Sequence, residues 1–344
     1  MNDLNDRNTE IFGTLGPSCA RADLMEQMFL EGMSGMRLNM SHSGLKESEP
    51  LIHSFHQAAQ RAGVQPQLLI DMQGPEIRIG DLSRPLQLKE SEEIEFVREG
   101  EGLPGRCAVP VAGRVLCAFE TGDHVLLDDG RIELVITSVK PRVTADVLCG
   151  GILQKKKSLK IVDKSIQAPV ITKQDRENIR LAKDYGVTAL MQPFVTNGEQ
   201  LAQVGRTLRD NHMEHVRIFA KIENRAGIRN IKTILPYADM VVIARGDLGN
   251  DMPLWKLPAA QQELSQMCVQ EGKPFLVVTQ LLASMVHNPY PTRAEVSDIF
   301  HAILDGAAAV MVTNETAVGD YPLEVIRYLK KTVEEAESVR GNKM

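Results

Sequence analysis

Eight short apolar runs, each followed by a longer stretch of helical periodicity, limit what this chain can fold into more than any other feature of it. The runs are EIFGTL at 10–15, GMRLNM at 35–40, QLLIDM at 67–72, VTALMQ at 187–192, RIFAKI at 217–222, MVVIARG at 240–246, FLVVTQ at 275–280 and AAVMVT at 308–313. Helices are predicted between and after them at about 21–33, 45–62, 173–185, 198–211, 225–237, 256–272, 292–305 and 322–339. Several open with the expected chemistry: Thr172 ahead of Asp175, Thr292 ahead of Glu295, and Pro322 as a first-turn proline. Strands that are apolar nearly throughout belong to a parallel sheet buried on both faces. Eight strand–helix repeats therefore predict an α/β fold of the (β/α)8 TIM-barrel type. An open doubly wound sheet would carry an early glycine-rich fingerprint, and none follows the first strand.

One segment breaks the rhythm. From about Ile79 to Lys164 the period falls to two residues, in EEIEFV, RIELVITSV and RVTADVLCG, with turns such as DDG at 128–130. This predicts a small all-β domain, residues 79–164, inserted after the third strand of a barrel made by 1–78 and 165–344. Setting those 86 residues aside leaves 258 of the 344, close to the roughly 250 typical of such a barrel. The basic run KKKSLK at 155–160 reads equally as a solvated strand end or as a phosphate contact.

Composition narrows the function. Lys plus Arg total 39 against 45 Asp plus Glu, a net charge of −6, with one Trp and five Tyr. That is poor material for nucleic-acid binding, which wants a basic face and stacking rings. No apolar run approaches the roughly 18 residues of a membrane span, and the polar start MNDLNDRNTE has no signal-peptide core. Cysteines 19, 107, 117, 149 and 268 are odd in number and contain no C-x-x-C pair, which suits a reducing, cytoplasmic setting.

In a barrel the chemistry sits where strands end, and polar residues there should recur every second position to share one strand face. Strand two ends Arg37-Leu38-Asn39-Met40-Ser41-His42 and strand three ends Asp71-Met72-Gln73-Gly74-Pro75-Glu76-Ile77-Arg78. Strand five ends Lys221-Ile222-Glu223, strand six Arg245-Gly246-Asp247, strand seven Thr279-Gln280, and strand eight runs into Thr313-Asn314-Glu315-Thr316. Charges at the ends of apolar strands are expensive to desolvate unless they pair or bind ions, and six converging ends favour a site over six separate ion pairs. Glu223 and Asp247, on adjacent strands, suit a divalent oxygen-loving cation such as Mg2+. Arg37, Arg78 and Lys221 suit phosphate or carboxylate. Together they point to phosphoryl transfer or enolate chemistry.

The segments IFGTLGPSC, GMRLNMSHSG, DMQGPEIRIG, KIENRAGIRN, ARGDLG, TQLLASM, PTRAEVSDI and NETAVGDYPLE, in this order, resemble the pyruvate kinase family over essentially the whole barrel. The resemblance implies a barrel with a β-rich lid after strand three, and Mg2+-dependent (or Mn2+-dependent) phosphoryl transfer from phosphoenolpyruvate to ADP, giving pyruvate and ATP in the last step of glycolysis. It implies that Glu223 and Asp247 hold the divalent metal, and that Lys221 stabilises the phosphoryl group in flight and the enolate left behind. The backbone amides of Gly246 and Asp247 would hold the substrate carboxylate, and Thr279 would belong to the relay that protonates the enolate carbon. Asn39, Ser41, Asp71 and the carbonyl of Met72 correspond to a K+ site, and Glu76 to the acidic residue that accompanies a K+ requirement. Arg37, Asn39, His42 and Arg78 match residues on the nucleotide or transferring phosphate, although His42 also reads as a loop cap and Ser41 as a helix N-cap.

The sequence departs from the family pattern in the monovalent-cation loop, at a lysine expected to join lid and barrel, at two nucleotide-side positions and at the end of strand four. Met72 and Gln73 replace Thr and Lys, Gln174 stands where a lysine is expected (with Lys173 adjacent), and Val318 and Glu47 replace a lysine and a tyrosine. The strand-four end reads Pro193-Phe194-Val195-Thr196-Asn197 in place of Ser-Phe-Ile-Arg-Lys. The sequence ends at SVRGNKM where members of the family continue into an effector-binding domain, so no effector site of that type is expected, and a homo-oligomer, a dimer, would rest on the barrel surface alone. Two other readings remain. One is an enolate enzyme with a different phosphoryl acceptor, or a lyase or decarboxylase acting on pyruvate or oxaloacetate. The other is a non-catalytic phosphoenolpyruvate sensor.

Overall fold

Strand parity sorts the side chains of the barrel into two layers. The computed structural model describes residues 9–41, 43–101, 107–128, 130–162, 164, 166 and 169–341. Eight parallel strands, β1 (Glu10–Thr14), β2 (Gly35–Asn39), β3 (Gln67–Asp71), β4 (Ala189–Gln192), β5 (Arg217–Ile222), β6 (Met240–Ala244), β7 (Phe275–Val278) and β8 (Ala309–Met311), form a closed barrel in chain order. It shuts where Glu10, Ile11 and Phe12 pair with Ala309, Val310 and Met311. Alternate residues point inward. Phe12, Leu69, Met191, Phe219, Val242, Leu276 and Met311 fill the interior as one buried cluster. Their neighbours Ile11, Leu68, Ile70, Ile218, Ile222, Val277 and Val310 pack outward into a second core shared with the helices. A strand buried on both faces has no room for polar residues mid-length, so the inward polar groups collect at its ends. At the N-terminal end Arg217 donates to Gln67, Gln67 donates to Glu10, and the Arg217 guanidinium lies 4.9 Å from the Phe219 ring centre.

The helices of the barrel unit are α1 (Ala22–Leu30), α2 (Glu49–Ala62), α3 (Lys173–Leu181), α4 (Gly198–Asp210), α5 (Arg225–Arg229), α6 (Ile231–Ile234), α7 (Arg245–Asp251), α8 (Leu257–Gln270), α9 (Arg293–Leu304), α10 (Asn314–Ala317) and α11 (Pro322–Gly341), and a short helix, Gly113–Leu116, lies in the inserted segment. Both capping boxes read from the sequence form, Thr172 with Asp175 and Thr292 with Glu295. The single helix predicted over 225–237 is instead α5, α6 and a 3-10 turn at Leu235–Tyr237. The break falls at Asn230, whose backbone leaves helical geometry (φ −100°, ψ 11°) while its side chain donates to the Thr196 carbonyl. Likewise α2 starts at Glu49, later than predicted, with Ser48 before it and proline in its first turn.

The chain divides into two compact units, Met1–Gly74 with Val170–Met344, and Pro75–Pro169. The second holds a six-stranded sheet whose neighbours run Leu159–Ile161, His124–Leu127, Ile132–Ser138, Val143–Cys149, Glu93–Arg98 and Ala108–Val111. Leu86–Leu88 and Gly151–Leu153 form a separate antiparallel pair. The unit has its own core, including Ile94, Phe96, Val125, Leu134, Ile136 and Val147. No helix of the described residues is long and apolar enough to cross a membrane.

The segment leaving β3 is fixed by one carboxylate. Asp175, fully buried in the first turn of α3, accepts from the amides of Gln73 (2.8 Å) and Gly74 (3.0 Å) as well as from the Thr172 amide (2.9 Å) and hydroxyl (2.8 Å). Gly74 sits at φ +59°, and a Cβ there would meet Pro193 Cγ at 2.3 Å, so this turn accepts neither a side chain nor much movement. Asp175→Ala strands several donors at once and is expected to lower stability by about 3–5 kcal/mol, with Asp175→Asn losing about half as much. Chemical denaturation of the two variants beside the parent measures this.

Candidate active site

Inward parity at the C-terminal strand ends brings Arg37 (β2), Asp71 (β3), Lys221 and the following Glu223 (β5) onto one lattice of charges. Arg37 holds Asp71 Oδ2 through Nε at 2.9 Å and Nη2 at 2.6 Å. Lys221 Nζ lies 3.2 and 3.1 Å from the two Asp71 oxygens and 2.8 Å from Glu223 Oε1. The amide of Phe194, after β4, donates to Glu223 Oε2 at 2.7 Å. The Glu223 and Asp71 side chains are 1% and 4% exposed, which places this lattice inside the protein and not on its rim. Replacing buried ion pairs by apolar groups is often neutral or stabilising, so such a network points to chemistry more than to folding.

The electrostatics divide the members. Burial alone would depress Lys221, but Asp71 and Glu223 outweigh it and hold the ammonium well above its ordinary range. Burial likewise opposes ionisation of Asp71, and the Lys221 and Arg37 charges overcome it, keeping the carboxyl below its usual value. Glu223 goes the other way. Burial first, then the charges of Asp247 and Asp71, raise it to about 7 in spite of Lys221. Glu223 is thus the member of this lattice whose burial is least compensated. The oxygen-preferring chemistry of a divalent cation fits the donor set of Glu223 and Asp247. Among the described residues no group of three or more His, Cys, Asp or Glu side chains is arranged to hold a metal.

Asp247 lies in the first turn of α7, which follows β6 directly. Gly246 beside it has no side chain, and a Cβ there would stand 3.1 Å from Thr279 Cγ2 and 3.6 Å from its Oγ1. The Thr279 side chain therefore packs onto the start of α7. Thr279 (φ +82°), Gln280 (φ +55°) and Phe194 (φ +53°) are all left-handed without being glycine. Such conformations cost on the order of 1–3 kcal/mol each and gather at functional sites.

Of the residues singled out from the sequence, Arg37, Asp71, Lys221, Glu223 and Asp247 are brought together, and Gly246 with Thr279 adjoins them. Asn39 pairs with Asp71 across β2 and β3, and its side-chain oxygen accepts from the Ser41 amide at 3.0 Å. Ser41 does not cap α2, whose N-cap is Ser48. The Met72 side chain is buried in the outer core, so only its main chain is available to a ligand. Glu76 and Arg78 lie in the inserted unit, where they pair at 2.5 Å and Arg78 donates to the Lys156 carbonyl. His42 falls outside the described residues. Sequence reasoning did not find Asp175 as the anchor of the β3 turn, the Phe194 amide on Glu223, or Arg245. The Arg245 guanidinium reaches the Thr279 carbonyl at 2.7 Å and Asp298 at 2.6 Å. A strongly basic residue in a polar strand end was the one available signal.

The pyruvate kinase barrel-domain family model matches residues 6–326. A pyruvate kinase of Geobacillus stearothermophilus is 36% identical over 326 residues, 93% of this chain and 55% of the relative. One from Staphylococcus saprophyticus is 34% identical over 342 residues, 98% of this chain and 58% of the relative. One from Bacillus licheniformis is 33% identical over the same length. The chain thus spans somewhat more than half the length of these curated relatives.

The raised Glu223 has a thermodynamic consequence. Its folded value of about 7 lies above the ordinary 4.5, so between these limits the folded protein keeps a proton that the unfolded chain has released. Stability then falls as pH rises through the window, by at most about 1.4 kcal/mol per pH unit from this group. Glu223→Gln cannot titrate. Without divalent metal, its stability relative to the parent should climb from about pH 5 to pH 7 and level off above, as read by denaturant unfolding at each pH.

Proposed function

Because this chain belongs to the pyruvate kinase family, we propose that its barrel mouth transfers the phosphoryl group of phosphoenolpyruvate to ADP and then protonates the enolate to pyruvate. The observation that carries this is the Lys221 ammonium held between Asp71 and Glu223. In the first half, the bond from phosphorus to the enol oxygen breaks and one to the terminal phosphate oxygen of ADP forms. Negative charge builds on the transferring oxygens and on the enolate oxygen. Lys221 and Arg37 are preorganised, largely buried cations, which stabilise such charge far better than cations in water do.

Glu223 and Asp247 would hold Mg2+ or Mn2+, and the raised Glu223 supports that pairing. When bound, such an ion supplies positive charge to phosphoryl and carboxylate oxygens. The amides of Gly246 and Asp247 suit the substrate carboxylate. Asn39, Ser41, Asp71 and the Met72 main chain are the proposed K+ ligands, supported by the pairing of Asn39 with Asp71 and by Asn39 holding the Ser41 amide. By the family pattern, Arg78 is the proposed phosphate contact and His42 the proposed nucleotide contact.

The second half needs a proton at the enolate carbon. Lys221 is a poor donor because its two carboxylates hold the proton on it. That leaves Thr279, packed on Gly246, to pass one from water. A different phosphoryl acceptor is the second reading. Glu47, which replaces the expected tyrosine, is turned onto the Gly44 amide at 2.9 Å, and Val318, in place of a lysine, is exposed.

Lys221→Met is expected to lower kcat about 1,000-fold or more while leaving phosphoenolpyruvate binding within a few-fold. Pyruvate release from phosphoenolpyruvate with Mg2+, with and without ADP and with K+ exchanged for Na+, tests the whole reading. ADP-dependent release that is faster in K+ is the expected result. Silence with ADP despite phosphoenolpyruvate binding would move the reading to another acceptor.

A further inference from the structure

The turn after β7 is held in a conformation that its own residues disfavour, and the groups that hold it lie elsewhere in the chain. Thr279 and Gln280 are successive left-handed residues at φ +82° and +55°, and Thr279 is β-branched, the type least suited to that region. Their carbonyls are both taken by one guanidinium. Arg245 donates from Nε (3.1 Å) and Nη2 (2.7 Å) to the Thr279 oxygen and from Nη2 (3.3 Å) to that of Gln280. Its Nη1 lies 2.6 Å from Asp298 Oδ2 on α9, which supplies the counter-charge. The Arg245 side chain is only 11% exposed, so these bonds are made largely out of water. From the other side, Glu315 accepts from the Leu282 amide at 3.3 Å and from the Thr313 amide at 2.7 Å.

We propose that Arg245, braced by Asp298, is a positioning residue that locks the Thr279–Gln280 turn and so keeps the Thr279 side chain packed against the start of α7. The guanidinium is committed to two carbonyls and a carboxylate, which leaves it no fork to offer a substrate. Its effect on the reaction passes through Thr279. A lysine at this position would keep the charge and lose the planar fork that gathers both carbonyls and Asp298 at once. The inference rests on the phosphoenolpyruvate reading only for its kinetic consequence; the lock itself is a property of the unliganded chain.

The test uses Arg245→Lys, Gln280→Gly and the double variant in the full chain. Glycine adopts the left-handed region without steric penalty, so it should relieve the need for the clamp at position 280. Expected for Arg245→Lys is a kcat reduced about 30-fold with KM for phosphoenolpyruvate within threefold. Solvent proton exchange at the pyruvate methyl group should fall in step, and amide exchange over 279–282 should quicken at least tenfold without any ligand. The double variant should regain threefold or more in kcat, with Gln280→Gly alone near the parent. A KM effect with kcat unchanged, a double variant no better than Arg245→Lys, or unaltered amide exchange would each overturn the proposal. If Arg245→Lys fails to fold, Asp298→Asn takes its place with the same readouts and a smaller expected change. A parent protein silent on phosphoenolpyruvate would remove the proposed function, and amide exchange would still decide for or against the lock.

Discussion

The Lys221 ammonium between Asp71 and Glu223 is the contact on which the organisation of the barrel mouth depends. A lysine this deep would lose its proton without partners, and two carboxylates this deep would take up protons without a cation. Lys221 and Asp71 hold their charges through each other, whereas Glu223, with burial only partly offset by Lys221, is held toward its protonated form. The three come from β3 and the end of β5, with β4 between those strands, so the lattice exists only when the barrel is closed and in register. Fold and site are linked here by electrostatics as much as by packing.

Local anchors then set what surrounds that lattice. Asp175 does for the turn after β3 what Arg245 does for the turn after β7: one ionised side chain gathers main-chain groups that would otherwise be buried without partners. The two cases differ in what they stabilise. The β3 turn has Gly74 at its left-handed position and needs only to be tethered. The β7 turn has Thr279 and Gln280 there, and Arg245 holds both in the left-handed region through their carbonyls.

This difference explains what could be read from the sequence. The eight strands were legible because a strand buried on both faces is apolar over its whole length. Their ends were less so: β6 and β7 were expected to run through Arg245–Gly246 and Thr279–Gln280, but Arg245 opens a helix and Thr279 turns left-handed, so the ladder stops at Ala244 and Val278. The charged members of the site were legible from two-residue spacing, since Lys221 and Glu223 share a face just as Arg37 and Asn39 do. What could not be read were the contacts made by main-chain atoms, the Phe194 amide on Glu223 and the Thr279 carbonyl on Arg245, because a peptide group has no residue-type signature. Nor does any spacing betray Asp298, which meets Arg245 across 53 residues. Helix five failed for a related reason, since Asn230 gives its side chain to the Thr196 carbonyl and interrupts a pattern that was periodic in apolar residues alone.

The same physics separates two duties at the barrel mouth. The carboxylates that keep Lys221 charged make it an effective electrostatic stabiliser and, by the same energy, an ineffective acid. In the proposed reaction, stabilising an enolate and then protonating it cannot both be asked of one ammonium. We propose the second duty for a group whose proton is not held by a buried ion pair, Thr279, whose side chain packs on Gly246. The more firmly the Lys221 cation is fixed by Asp71 and Glu223, the more protonation in that reaction depends on a separately positioned proton carrier.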